Sequence, residues 1–144
     1  MTTYTHTWSA MGTPVALDLT DSLGNELTQL STAIDNTSGL KTHINLELYL
    51  PEQRGARSSG AYVSVHLCAS VDGTNYCDST SPIPQLLAQF NLDADVTARY
   101  ATRMNIPIPP AKFKLLITNQ TGQAFANDNN TLTYTLHSEK TVDA

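Results

Sequence analysis

The chain of 144 residues is 40% hydrophobic and only 15% charged, against the about 25% charged of an average soluble domain. That length suits one domain, since two would leave each half too small for a core of its own. A net charge of -5, with the few Lys and Arg scattered, excludes the clustered basic footprint that a nucleic-acid backbone needs, and no run approaches the about 18 apolar residues of a membrane-spanning helix.

Residues 1–13, MTTYTHTWSAMGT, hold neither the basic cluster nor the apolar run of a signal peptide, so a soluble protein made in a cytosol is expected. The segment is Thr-rich, with Tyr4 and Trp8 as its large apolar anchors, and reads as an extended arm. Polar termini are disordered unless something ties them down. Arm and tail (139–144) are therefore expected either to be held by neighbouring subunits or to fold back on the single domain between them, residues 14–138.

Within that domain, LGNELTQLSTAIDNT is ambiguous: Leu23, Leu27, Leu30 and Ile34 fit a helical stripe, whereas Thr28, Leu30, Thr32 and Ile34 fit a strand. The β-branched residues and the Asp35-Asn36 turn favour a strand over 28–35. Next come four segments of clear period-two alternation. Ile44, Leu46, Leu48 and Leu50 share a face in HINLELYL, and Ala61, Val63, Val65 and Leu67 in AYVSVHL. Phe113, Leu115 and Ile117 do so in KFKLLIT, as do Leu132, Tyr134 and Leu136 in TLTYTLH. Between the second and third, QLLAQFNL offers Ala88, Phe90 and Leu92. VTARYATRMNIPIP then sets Val96, Ala98, Tyr100, Thr102, Met104, Ile106 and Ile108 on one face, and its prolines place its end at a sheet edge.

Turn residues punctuate the chain at 36–39, 54–60, 72–73, 107–110, 119–122 and 127–130. Short strands so spaced, with no helix to cover a sheet, predict an all-β fold: a two-sheet antiparallel β-sandwich of about eight strands, jelly-roll-like, with the N-terminal arm extended from it.

Little in the sequence points to chemistry. No two of His6, His43, His66 and His137 sit at ligand spacing, and they read as structural or surface residues. Asp72, Asn75 and Asp78 resemble a loose calcium loop but lack the regular carboxylates and closing Glu of an EF-hand, so a hairpin tip with Asp72-Gly73 at positive φ is preferred, and the Asn127–Asn130 run reads likewise. Cys68 and Cys77 flank that tip and are expected as free thiols, matching no zinc pattern. Arg54, Arg57, Arg99, Arg103 and Lys140 read as solvated charges, and the Asn-x-Ser/Thr matches at Asn36, Asn119 and Asn129 as polar turns. Without a nucleophile elbow or a phosphate-cradling glycine loop, and with Asp18, Asp21 and Glu47 no more than ordinary carboxylates, no catalytic residue, cofactor or metal ligand is assigned and no enzyme activity is expected. The aromatics Trp8, Tyr49, Tyr62 and Tyr76 leave open a sugar-stacking module as the alternative from another class.

Three stretches carry a resemblance. DNTSGLKTHINLELYL, YVSVHLCASVDGTNYCD and IPIPPAKFKLLITNQTGQAFANDNNTLTYTL look like a family of small tailed-bacteriophage virion proteins, over about residues 33–136. The resemblance lies in turn and strand signatures: Asp-Asn-Thr, Ser-x-Asp-Gly-Thr-Asn-Tyr, Pro-Pro-x-x-Phe-Lys and Asn-x-x-Gly-Gln-Ala-Phe. It implies a virion structural role, as a capsid decoration or cement protein or as a neck, collar or tail component. The partners it implies are the major capsid protein or other virion proteins, with self-association into an oligomer. The residues expected to touch such a partner are the large ones of the arm, Tyr4, His6, Trp8 and Met11, since they bury most area for each residue fixed.

Overall fold

The computed structural model describes residues 3–77 and 84–143. Among these, every element is a strand: β1 (Tyr4–Trp8), β2 (Val15–Asp18), β3 (Thr28–Leu30), β4 (Ile34–Asp35), β5 (His43–Leu50), β6 (Tyr62–Ser70), β7 (Gln85–Asn91), β8 (Arg99–Pro107), β9 (Lys112–Gln120), β10 (Thr131–His137) and β11 (Glu139–Asp143). The ambiguous stretch resolves into β3 and β4, two short strands laid end to end along β9.

All pairings are antiparallel, and they build two main sheets. One has the order β2-β10-β5-β8; the other has β3-β9-β6-β7, with β4 also on β9. The alternation read from the sequence gives each sheet one oily face. Ile44, Leu46, Leu48, Leu50 and Leu132 from the first sheet meet Val63, Val65, Leu67, Phe90, Phe113, Leu115 and Ile117 from the second in one buried cluster. The fold is thus an antiparallel β-sandwich. β1 and β11 stand apart as a two-stranded ribbon, pairing Tyr4 with Asp143 through to Trp8 with Glu139. The residues read as an arm and those read as a tail are therefore each other's hydrogen-bonding partners.

Two expectations require correction. In β8, Tyr100 and Met104 are exposed while Ala101 and Ile106 pack on the core, so the strand changes phase partway along. The cause is a bulge opposite Ile44–Leu46, where Asn105 takes a φ of 57° and its N–H is held by the Asn45 side chain at 2.9 Å. One extra residue shifts a period-two pattern onto the other face. Arg57, read as a solvated charge, is 2% exposed. Its guanidinium donates to Gln53 Oε1 (2.8 Å), to the Asp93 carbonyl and carboxylate (both 3.0 Å) and to the Thr97 carbonyl (2.9 Å). A buried guanidinium satisfied on all sides ties the 51–61 loop to the 92–98 loop.

Candidate partner-binding surface

With Ile44, Leu46, Leu48 and Leu50 turned inward, strand geometry turns His43, Asn45, Glu47 and Tyr49 of β5 outward. The register places His137, Thr135, Thr133 and Thr131 of β10 beside them in that order, and Thr102 and Tyr100 of β8 on the other side. Glu47 is the single carboxylate in these rows, and Tyr49 and Tyr100 stack across the strands with centroids 4.5 Å apart. Threonine suits such a surface because its branched side chain packs on a pleated sheet while its hydroxyl stays wet.

The segment after β1 runs along one end of this face. Ser9 N–H donates to the Ser138 carbonyl at 2.7 Å, and Gly12 N–H to the Leu136 carbonyl at 2.8 Å. A Cβ at Gly12 would lie 3.1 Å from that same carbonyl oxygen, which explains the glycine. The Trp8 indole lies against both His43 (5.5 Å, edge-on) and His137 (5.4 Å, tilted), and the two imidazoles stack at 5.4 Å. Met11 Sδ accepts from Asn45 Nδ2 at 3.3 Å, and the Asn45 amide also donates to Thr135 Oγ1 at 3.0 Å. Trp8 nonetheless keeps 53% of its surface exposed and Met11 61%, and Tyr100 on the far side of the sheet keeps 69%. A groove of about 310 Å³ lies between Met11 and Met104, over Asn45, Glu47 and Thr133.

Of the four residues expected to touch a partner, Trp8 and Met11 are thus brought onto one face. Tyr4 and His6 belong to β1 by their backbones, opposite Asp143 and Thr141, and their side chains lie outside the described residues. Sequence spacing could not have joined His43 to His137: they meet because β5 and β10 pair antiparallel with these two residues opposite one another. Burial holds the His137 imidazole below the ordinary histidine pKa, the His43 charge pushes the same way, and Glu139 opposes both. Glu139 reaches His43 Nε2 at 3.6 Å, and Thr42 Oγ1 and His43 Nδ1 lie 2.7 Å apart.

The Asp72 loop offers no such surface. Asp72 Oδ1 accepts from the N–H groups of Thr74 and Asn75 at 2.8 Å and from Ser70 Oγ at 3.0 Å, while Oδ2 accepts from Asn75 Nδ2 at 2.6 Å. Those donors hold the carboxyl well below the usual carboxylate range, the Asn75 N–H foremost. Gly73 takes the positive φ there, without Asp72. Four donors from within the loop thus hold the Asp72 carboxylate; Asp78, the third member of the calcium-loop reading, lies outside the described residues. Among the described residues, no three His, Cys, Asp or Glu side chains are placed to share a metal ion. Cys68 and Cys77 are free thiols, and burial, with Cys77 as neighbour, pushes the Cys68 thiol up to about 12.

No family model and no curated protein sequence matches the chain. Among solved structures, it is similar to a chain from "Bacillus endospore appendages form a novel family of disulfide-linked pili", with 12% identity, 96% of this chain and 89% of that chain covered, and a TM-score of 0.38. A chain from Desmodium yellow mottle tymovirus shares 11% identity over 100% of this chain and 90% of its own, with a TM-score of 0.38. A tailspike protein of bacteriophage CBA120 shares 8% identity over 95% of this chain but 19% of its own, with a TM-score of 0.36. Likenesses this distant say nothing about what the chain does.

Proposed function

We propose that this protein is a structural component of a bacteriophage particle, and within it a capsid decoration or cement protein that binds the shell and stabilises it, acting by binding and not by catalysis. One observation carries the reading: the outward rows of the β2-β10-β5-β8 sheet hold no lysine or arginine and two carboxylates, Glu47 and Asp18, and are flanked by exposed Trp8, Met11, Tyr100 and Met104. Large apolar and aromatic side chains on a surface poor in Lys and Glu are what the core of a protein interface uses. We read the strand order of the two sheets as that of a jelly roll, and the β1–β11 ribbon as the arm that reaches a second subunit. The partners would be the major capsid protein and further copies of this chain, and the turn and strand signatures over residues 33–136 support a tailed-phage origin.

Isolating the particle and locating the chain by cryo-electron microscopy tests this. Hundreds of copies on an icosahedral shell, with the Trp8–Met11 face against a neighbouring subunit, are expected. Six or twelve copies at the portal or tail would assign it to the neck or tail instead. Glycan binding by the isolated domain through Tyr49 and Tyr100 would favour a carbohydrate-binding module.

A further inference from the structure

The outer face of the β3-β9-β6-β7 sheet is covered at one place. Val63, Val65 and Leu67 of β6 and Phe113, Leu115 and Ile117 of β9 belong to the core cluster. Strand geometry therefore turns Cys68 of β6, and Lys114 and Leu116 of β9, to the other side of the sheet. Cys68 nevertheless has 0% of its surface exposed and Leu116 has 2%, although neither belongs to that cluster.

Part of the cover over Cys68 is the chain that leaves β6. Its direction is reversed by the Asp72 loop: Ser70 Oγ accepts from Gly73 N–H at 2.8 Å and donates to the Asp72 carboxylate, which in turn holds the N–H groups of Thr74 and Asn75. The residues that follow come back over the sheet. Lys114 is the register partner of Cys68 on β9, and its ammonium lies 4.5 Å from the centre of the Tyr76 ring. One residue further on, the Cys77 sulfur accepts a hydrogen bond from the Cys68 thiol. A pinned turn and a cation–π contact thus set two thiols against each other, Cys68 sealed and Cys77 half-buried. Among the described residues no third His, Cys, Asp or Glu joins them to share a metal ion, so the chemistry matched to the pair is that of one sulfur with another.

We propose that Cys68 and Cys77 form a thiol–disulfide site, which a small-molecule disulfide such as oxidised glutathione converts to an intrachain bond that fastens the 71–77 loop to the outer face of the sheet. Cys77 is the sulfur that such an oxidant can reach. It attacks one sulfur of the oxidised glutathione, the S–S bond between the two glutathiones breaks, and one glutathione leaves with the Cys77 proton. Cys68 then attacks the Cys77 sulfur of the mixed disulfide, and the second glutathione leaves with the Cys68 proton. Two protein thiols are oxidised and one glutathione disulfide is reduced to two glutathione thiols. Burial, which pushes the Cys68 thiol up to about 12, keeps it protonated until this second step and fixes the order of the two attacks. The bond stabilises by restricting the unfolded chain, and a loop already seated on the sheet has little to rearrange when it forms. The pair lies on the sheet that does not carry Trp8 and Met11, so the site is independent of what that face binds.

The test equilibrates the full, reduced chain in buffers that run from reduced to oxidised glutathione, quenches with acid, alkylates with iodoacetamide and reads the peptides by mass spectrometry. Both thiols should disappear together, leaving a peptide pair linked through Cys68 and Cys77, no retained glutathione, and a single-chain band on a non-reducing gel. The oxidised chain should melt about 5 °C or more above the reduced one. C68S should trap glutathione on Cys77, whereas C77S should leave the sealed Cys68 unmodified. If either variant fails to fold, the parent chain decides alone. Glutathione that stays on Cys77 of the parent, a disulfide between two copies, or thiols that survive the most oxidising buffer overturns the proposal. An oxidised chain that melts no higher than the reduced one refutes the fastening of the loop.

Discussion

The locked loops at one end of the sandwich and the β1–β11 ribbon at the other are built on opposite principles. At one end the loops 51–61, 92–98 and 119–130 are locked by buried polar groups. Arg57 holds two of them, and Asn119 ties the third, donating to the Leu23 and Gln123 carbonyls at 2.8 Å and accepting from Thr121 N–H (2.9 Å) and Oγ1 (2.7 Å). At the other end the β1–β11 ribbon joins the domain through ring contacts at Trp8 and a few hydrogen bonds over residues 9–12. A loop whose buried side chains bond across to neighbouring loops is held rigid by them; a ribbon held at its root keeps apolar side chains exposed for something else.

That contrast breaks most visibly at Arg57. Arg57→Ala removes a fully buried guanidinium from carbonyl partners, and should lower stability by about 3 kcal/mol, read as a shift of the urea midpoint. Gly122 sits at the locked end with a φ of 83°, where a Cβ would collide with the Ser58 side chain. Gly122→Ala should cost roughly 2 kcal/mol in the same assay. At the ribbon end Trp8→Ala should change stability by less than about 1 kcal/mol, because half of the indole is already in water, yet abolish shell binding in a particle-addition assay if the proposed face is the docking face. Equal losses of stability from Trp8→Ala and Arg57→Ala would erase the distinction between the ends.

The smallest effect is a dependence on pH. The folded pKa of His137 lies below the ordinary 6.5, so on acidification the unfolded chain takes up its proton before the folded one does. The stabilisation is complete above that ordinary value and declines as pH falls through it. His66, also held low by burial, adds to the same slope. His137→Asn should flatten the fall in melting temperature between pH 7 and pH 5, and in the parent protein Trp8 fluorescence should report the protonation, since its ring touches both imidazoles. An unchanged slope in the variant would place the titration elsewhere.

Much of the sandwich was legible because period-two alternation is a one-dimensional record of which face is oily. β5, β6, β7, β9 and β10 follow from it directly, and their inward residues are those of the core. The reading of β8 failed at Asn105, since a bulge is set by the backbone hydrogen bond that Asn45 offers from the neighbouring strand, and nothing in the local sequence records that neighbour. Arg57 was misread for a similar reason: its partners Asp93 and Thr97 come from another loop, and burial of a charge depends on who surrounds it.

The candidate surfaces divide in the same way. Trp8 and Met11 stand out from composition alone, as large side chains in a Thr-rich stretch. The histidines against Trp8 do not, because His43 and His137 meet only where β10 pairs with β5. By itself the sequence determined the class of fold and the inward faces of the regular strands, since those follow from solvent sorting apolar from polar side chains. Only the tertiary structure decided the strand order, the pairing of arm with tail and the stacked histidines, because each depends on contacts between segments far apart in the chain.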